Sequence, residues 1–303
     1  MIEKLYRVLY RTKNKRGNLF VYRTIKLFLN MCYPIYCRIS RKYTPKKIEE
    51  NVIVSLTTFP QRIDTVWVTI ETLLRQSYRP SRIILWLAES QFSEKDKLPK
   101  KLLEQKKRGL EIRFCDDLRS HKKYYYTMKH YPNSVVITVD DDTFYPENLV
   151  ENLVETSNMQ PNTVCCNLGH VITTRKGMIE PYNNWYSGAD GLDTPSYNLV
   201  PIGCEGVLYP PKCLDENVFD KNQIKELCPL ADDLWLKSMA TLNGVKAIKC
   251  NPVSITYANQ ISAKKGSLNS VNVDQNMNDK QLEKILKKYP ELKNVWRSEV
   301  INK

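Results

Sequence analysis

Short apolar runs, each followed by a helical pattern, constrain this chain more than any other feature. Asn51 to Leu56, Arg82 to Ala88, Leu110 to Cys115 and Ser134 to Val139 have the length and the Val, Ile and Leu content of buried strands. Between the first two, Asp64 to Ser77 places Val66, Ile70, Leu73 and Leu74 on one helical face, and Glu94 to Arg108 reads as a helix ended by Gly109. Repeated β-α-β units with continuous apolar strands predict a largely parallel sheet covered on both faces, which binds ligands beyond the carboxyl ends of its strands. With 303 residues the chain can bury one sizeable core and carry extensions. From Thr163 onward the signals weaken into short strands, a Gly-, Asn- and Tyr-rich stretch over 177–198, a helix starting near Leu230, a polar loop over 261–278 and a surface helix from Asp279 to Lys288. The expected division is an arm over 1–47, a catalytic domain over 48–260, and a polar loop with a C-terminal helix over 261–303.

The net charge of +13 is not spread over this layout. Residues 1–47 contain thirteen Lys or Arg against the single acidic residue Glu3, so the remainder of the chain is close to neutral. Within the arm Ile2, Leu5, Tyr6 and Leu9 share one helical face, and so do Val21, Ile25, Phe28, Leu29 and Cys32. Three arrangements fit: helices lying in an anionic bilayer interface, helices packed on the domain with a solvated basic face, or an arm for nucleic acid. The first is the expectation, with an anionic membrane surface as partner, no nucleic acid, and a peripheral location on the cytoplasmic face of the inner membrane. The longest uncharged run, Leu27 to Cys37, contains Pro34 and is 11 residues long, short of the ~20 that a spanning helix needs. Nine cysteines without a C-x-x-C pair read as reduced thiols.

The chemistry concentrates where the strand over 134–139 runs into Asp140, Asp141 and Asp142, before Pro146 opens a helix. Three consecutive carboxylates at the end of a core strand repel one another. A hard divalent cation, Mn or Mg, relieves that repulsion and leaves coordination sites for diphosphate oxygens. The bland alternative, strand-end solubility plus charge at a helix N-terminus, accounts for one aspartate better than for three. There is no G-x-x-x-x-G-K-[ST], G-x-S-x-G or H-E-x-x-H motif, and His121, His130 and His170 are read as structural or exposed.

Val52 to Arg62, the run Arg82 to Ala88, and Val136 to Thr143 together resemble the nucleotide-binding half of GT-A glycosyltransferases, in particular family-2-like bacterial members. The resemblance implies a GT-A-type α/β domain, a mostly parallel sheet with flanking helices. It further implies metal-dependent transfer of a sugar from a nucleotide diphosphate sugar, a UDP-sugar first, to a glycan or lipid-linked acceptor in surface polysaccharide synthesis. By the same resemblance Thr57 and Thr58 lie where nucleotide sugars bind and Arg62 meets the diphosphate. Asp140 and Asp141 belong to the donor site, and Asp142 is the direct metal ligand with Asp140 beside it. Asp116, Lys122 and Lys123 contact base or phosphate. The segment Ile202 to Pro210, with Gly203 and Gly206, resembles the stretch behind the donor sugar, where missing side chains let backbone approach a ligand. Asp232 and Asp233, opening a late helix, resemble the pair from which inverting members take their base, Asp233 first. Both acidic elements also look like retaining, exostosin-type enzymes, so the stereochemical outcome stays open. A nucleotidyltransferase on a related fold is the first rival, and it lacks a Gly-rich basic loop after the first strand. A non-enzymatic membrane- or nucleic-acid-binding protein is the second.

Overall fold

The computed structural model describes residues 1–12, 17–40, 43–92, 97–251, 256–261 and 276–298. The expected strands appear as β1 (Lys47–Thr57), β2 (Tyr78–Ala88), β3 (Leu110–Cys115) and β4 (Val135–Thr138). They are joined by three further strands, β5 (Val164–Cys166), β11 (Val207–Tyr209) and β12 (Ala247–Lys249), in the order β12-β5-β11-β4-β1-β2-β3. All pairings are parallel except those of β11, which runs antiparallel between β4 and β5. This is the expected α/β architecture, a mostly parallel sheet with helices on both faces. Between β5 and β11 lie small elements: β6 (Gly169–Val171), β9 (Tyr186–Ser187) and β10 (Leu199–Pro201) form one sheet, and β7 (Thr174–Arg175) pairs with β8 (Met178–Ile179).

Alternation along β1 explains why both faces are covered. Val52, Val54 and Leu56 point into one apolar core with Ile83, Leu85 and Leu87 of β2, while Ile53 points to the other side with Ile84 and Trp86. The first face is closed by α3 (Val66–Leu73), α4 (Lys100–Lys106) and α6 (Leu149–Met159). On the second, α5 (Lys122–His130) is pinned by Thr127, whose hydroxyl lies 2.7 Å from Ser55 Oγ and accepts from Trp86 Nε1 at 2.7 Å. A second core gathers α7 (Lys221–Leu227), α8 (Asp232–Leu242), α9 (Met277–Lys288) and α10 (Glu291–Ser298). The C-terminal pair is thus less superficial than expected, with Leu282, Ile285, Leu292 and Trp296 buried. Residues 262–275 of the expected polar loop lie outside the described residues.

The N-terminal arm departs from expectation. It forms α1 (Ile2–Thr12) and α2 (Asn18–Ile39), but the face assigned to lipid points into the domain: Ile2, Tyr6, Leu9, Ile25 and Leu29 are buried in the first core. Tyr6 shows why the packing is specific. Its hydroxyl donates to the Phe144 carbonyl at 2.8 Å and accepts from the Ala258 amide at 2.7 Å, while its ring stacks on Tyr257. Burial on protein satisfies the apolar stripe and also these backbone groups, which lipid could not.

Leu29, fully buried although it belongs to the arm, tests that the arm shares the core. Leu29→Ala is expected to lower unfolding free energy by ~2–5 kcal/mol in denaturant titration, against no more than about 0.5 kcal/mol for Ile35→Ala on the outer face. Equal, small effects of the two would show the arm to be energetically separate.

Candidate functional site

Register brings the candidate residues together. Parallel pairing sets Ser55 of β1 beside Thr138 of β4, so the residues that follow, Thr57-Thr58 and Asp140-Asp141, emerge at one edge. Antiparallel pairing sets Val207 against Thr138, so the turn Gly203–Glu205 lies over the same edge. The buried Phe144 and Tyr145 then fix how the aspartates cross it. The Tyr145 hydroxyl accepts from the Asp140 amide at 2.9 Å and donates to the Cys204 carbonyl at 2.9 Å, tying the run to the turn.

The three aspartates have separate environments. Asp141 is buried, accepting from Thr58 Oγ1 at 2.5 Å and from Arg62 Nη1 at 2.7 Å. The same Arg62 nitrogen lies 2.7 Å from Asp142 Oδ2, while Asp142 Oδ1 accepts from Thr143 and Asn259 at 3.3 Å. Asp140, with its side chain 36% exposed, pairs through Oδ1 with Lys123 at 2.8 Å. Burial raises the pKa of Asp141 to about 6 despite Arg62, and burial together with Asp140 raises that of Asp142. Repulsion within the run is therefore met first by the chain's own Arg62 and Lys123.

Several of the expected donor-site residues have partners within the chain. Arg62 and Thr58 face Asp141 and anchor it. Thr57 donates to the Trp86 carbonyl at 2.9 Å. Lys122 pairs with Asp117, and the exposed Asp116 pairs with Lys221, both at the end of β3 and apart from the aspartate run. Gly206, at φ +90°, is required by packing: a Cβ there would meet Leu149 Cδ1 of α6 at 2.9 Å.

Lys123 lies at the centre of the site. Its ammonium is 2.8 Å from Asp140 and 2.9 Å from Asp232 Oδ2 on α8. Burial alone would lower its pKa, but Asp140, Asp232 and Asp233 hold it well above its ordinary value. The Lys123 and Asp233 side chains crowd Gly203: a Cβ there would fall 2.7 Å from Lys123 Nζ and 2.9 Å from Asp233 Oδ1. Asp233 Oδ1 also accepts from the Gly203 amide at 3.1 Å. The two carboxylates of α8 diverge. Burial pushes Asp232 up, but the Lys123 ammonium outweighs it and holds it below its ordinary range. Asp233, buried and facing the charge of Asp232, is raised to about 7.

Of the histidines, His121 is buried between the Tyr124 hydroxyl and the Cys228 carbonyl, with burial lowering its pKa to about 4, so it stays neutral. Asn259 and Tyr145 are neighbours of the aspartate run that no sequence pattern marks, because Asn259 reaches Asp142 only by tertiary return of the chain. A cavity of about 240 Å³ opens elsewhere, against Tyr6, Asn148 and Asn152, and none of the four site aspartates 140, 142, 232 and 233 lines it.

Among the described residues no three His, Cys, Asp or Glu side chains form a closed metal cage. The carboxylates of Asp140 and Asp142 are the donor type a hard cation takes, with diphosphate oxygens and water to complete its shell, and the buried Asp142 would exchange Arg62 for the cation at its Oδ2. No protein-family model matches the sequence, and no curated protein matches it. Solved structures similar to this chain include a mannosyltransferase from Pyrobaculum calidifontis in complex with GDP-Man and Mn2+, at 13% identity and TM-score 0.48, over 98% of this chain and 80% of that one. Others are a 2-C-methyl-D-erythritol 4-phosphate cytidylyltransferase from Francisella tularensis (11%, TM-score 0.41, 75% and 98%) and a 4-diphosphocytidyl-2C-methyl-D-erythritol synthase (8%, TM-score 0.38, 66% and 88%). What the site can do is decided by its own side chains.

Asp233 gives the site a signature in stability. Its folded pKa of about 7 exceeds the ordinary 3.8, so the folded state holds a proton that the unfolded chain releases, and stability falls as pH rises between those values. Asp233→Asn is expected to be more stable than the parent. The difference is expected to be absent below about pH 4, to grow to about pH 7 and then to level off at up to a few kcal/mol. Thermal melts across that range measure it, and a pH-independent difference would remove the assignment.

Proposed function

We propose that this protein transfers a sugar from a nucleotide diphosphate sugar to a hydroxyl of a glycan or lipid-linked acceptor. The observation that carries the reading is the opposition of two acidic elements at one sheet edge. The Asp140/Asp142 rim suits a cation and diphosphate, and Asp233 on α8 is raised to about 7 and held beside Lys123. In this reading Asp140 and Asp142 hold Mn or Mg, which when bound supplies Lewis-acid neutralisation of the leaving diphosphate. The chain's own residues do the rest. Arg62 and Thr58 keep Asp141 fixed so that its neighbours stay at the rim. Lys123 holds Asp140 and Asp232 at a set separation. Asp233, with a pKa near neutral, is suited to take the acceptor hydroxyl proton as the new glycosidic bond forms. Its position at a helix N-terminus works against basicity, and burial beside Asp232 outweighs that.

The nucleotidyltransferase reading needs cations presented to an α-phosphate after the first strand. The basic residue of that turn, Arg62, is buried against Asp141 and Asp142. That geometry favours sugar transfer.

A screen of nucleotide sugars for hydrolysis and transfer, with and without Mn or Mg, tests the reading. Asp142→Asn is expected to remove the metal dependence together with turnover. Asp233→Asn is expected to lose at least ~100-fold in kcat while donor binding persists. The parent rate should rise with pH through an apparent pKa near 7, because the base acts deprotonated. Undiminished turnover in excess chelator defeats the metal assignment, and NMR showing retention of the donor's anomeric configuration would reassign Asp233 to positioning the acceptor.

A further inference from the structure

Helix α2 carries two apolar stripes, and only one of them is used by the fold. Ile25, Leu29, Tyr33 and Cys37 recur every four residues and are buried against the domain. Leu27, Met31, Ile35 and Ile39 recur with the same spacing but are offset by two residues, or about 200° around the helix, which sets them on the opposite side. These four are 56–80% exposed, and Phe20 and Phe28 widen the stripe. Six large apolar side chains on one solvent face exceed what an isolated soluble surface usually shows, and such a face marks an interaction site.

The charges around it select the occupant. Arg23 and Arg38 of α2 and Arg7 and Arg11 of α1 are exposed, and the segments 13–16 and 41–42 that flank α2 add five more Lys or Arg in sequence. Residues 1–47 hold one carboxylate, Glu3, already paired with Arg7. A second copy of this chain docking through the same stripe would bring two strongly basic arms together. Nucleic acid offers phosphates but nothing for an apolar stripe this wide. An anionic bilayer interface satisfies both, taking the apolar side chains at the acyl boundary and the cations at the headgroups. No described helix is long and apolar enough to cross a membrane, so α2 on such a surface would lie in its plane.

We propose that the outward face of α2 seats the protein on an anionic lipid surface, with the buried face holding it to the catalytic domain. The lipid-facing residues are therefore Leu27, Met31, Ile35 and Ile39 with Phe20 and Phe28, and of the stripe Val21, Ile25, Phe28, Leu29 and Cys32 that the sequence pattern alone suggests, only Phe28 is among them. Asn30 connects this surface to the site. On the flank of α2, it donates to the Asn259 carbonyl at 3.2 Å and accepts from the Ile261 amide at 2.8 Å, while the Asn259 side chain donates to Asp142. The carboxylate rim thus stands two hydrogen bonds from the membrane-seated helix. If the reading of the site given above holds, an acceptor carried on lipid meets it at the bilayer surface.

Flotation of the full chain with vesicles tests the proposal without any donor, so its outcome is independent of the enzymatic reading. Vesicles of phosphatidylcholine with phosphatidylglycerol are expected to carry the protein, and phosphatidylcholine alone to carry it far less, since each cation near an anionic leaflet is worth about fivefold in partition. The variant M31D/I35D is expected to lose at least ~100-fold in partition with its melting temperature unchanged, because neither side chain enters the core. Should it misfold, the milder M31S/I35S pair is expected to lose about tenfold. R23E/R38E is expected to weaken binding to the anionic vesicles alone. Unchanged partition of the folded apolar variants overturns the proposal, as does a stripe-dependent dimer that forms in place of vesicle binding.

Discussion

The buried ammonium of Lys123 is the contact on which the geometry of the site depends. It comes from the first turn of α5, reaches Asp140 after β4 and Asp232 on α8, and thereby joins three elements far apart in the chain. Its removal would leave carboxylates facing one another without a cation in a poorly hydrated space, where an uncompensated buried charge costs ~3–5 kcal/mol. The same ion sets the chemistry. By drawing Asp232 down it keeps that carboxylate ionised, and the charge of Asp232, together with burial, is what lifts Asp233 towards neutrality. Two adjacent aspartates thus acquire opposite protonation tendencies, since Lys123 outweighs burial at Asp232 while burial and the charge of Asp232 outweigh Lys123 at Asp233, an arrangement suited to acid-base work.

A second consequence concerns the aspartate run. Three carboxylates in sequence suggest three ligands for a cation, yet Arg62 enters from the turn after β1 and takes up Asp141 and part of Asp142. The middle aspartate is the most enclosed of the three, while Asp140 stays partly exposed, so one turn residue orders the run. The arm shows the same economy, since α2 contributes one stripe to the core and retains another, and Tyr6 of α1 stitches the segments at 144 and 258 that border the site.

Much of this was legible in the chain. The apolar runs that became β1 to β4 have too little polar content to be anything but buried strands, and helical spacing between them requires crossover connections and hence a parallel sheet. The placement of Asp140 to Asp142 at the end of β4, and of Asp232 and Asp233 at the start of α8, followed from the same local pattern, because strand and helix limits are set by short-range composition. The basic character of the arm and its helicity were equally local.

Pairing across the fold was not legible. Which of two apolar stripes on α2 faces protein depends on the shape of the surface it meets, and periodicity is identical for both. Whether Lys123 meets a phosphate or a carboxylate depends on α8 lying against α5, and nothing near Lys123 in sequence records that. Gly203 and Gly206 look alike in the chain, yet one makes room for an ion cluster and the other for Leu149. Sequence by itself determined the strands β1 to β4, the helical segments between them and the ends at which the acidic residues stand, since these rest on short-range pattern. Only the tertiary structure decided the partner of each charge, because a buried charge is governed by whatever oppositely charged group the folded chain brings within about 3 Å of it.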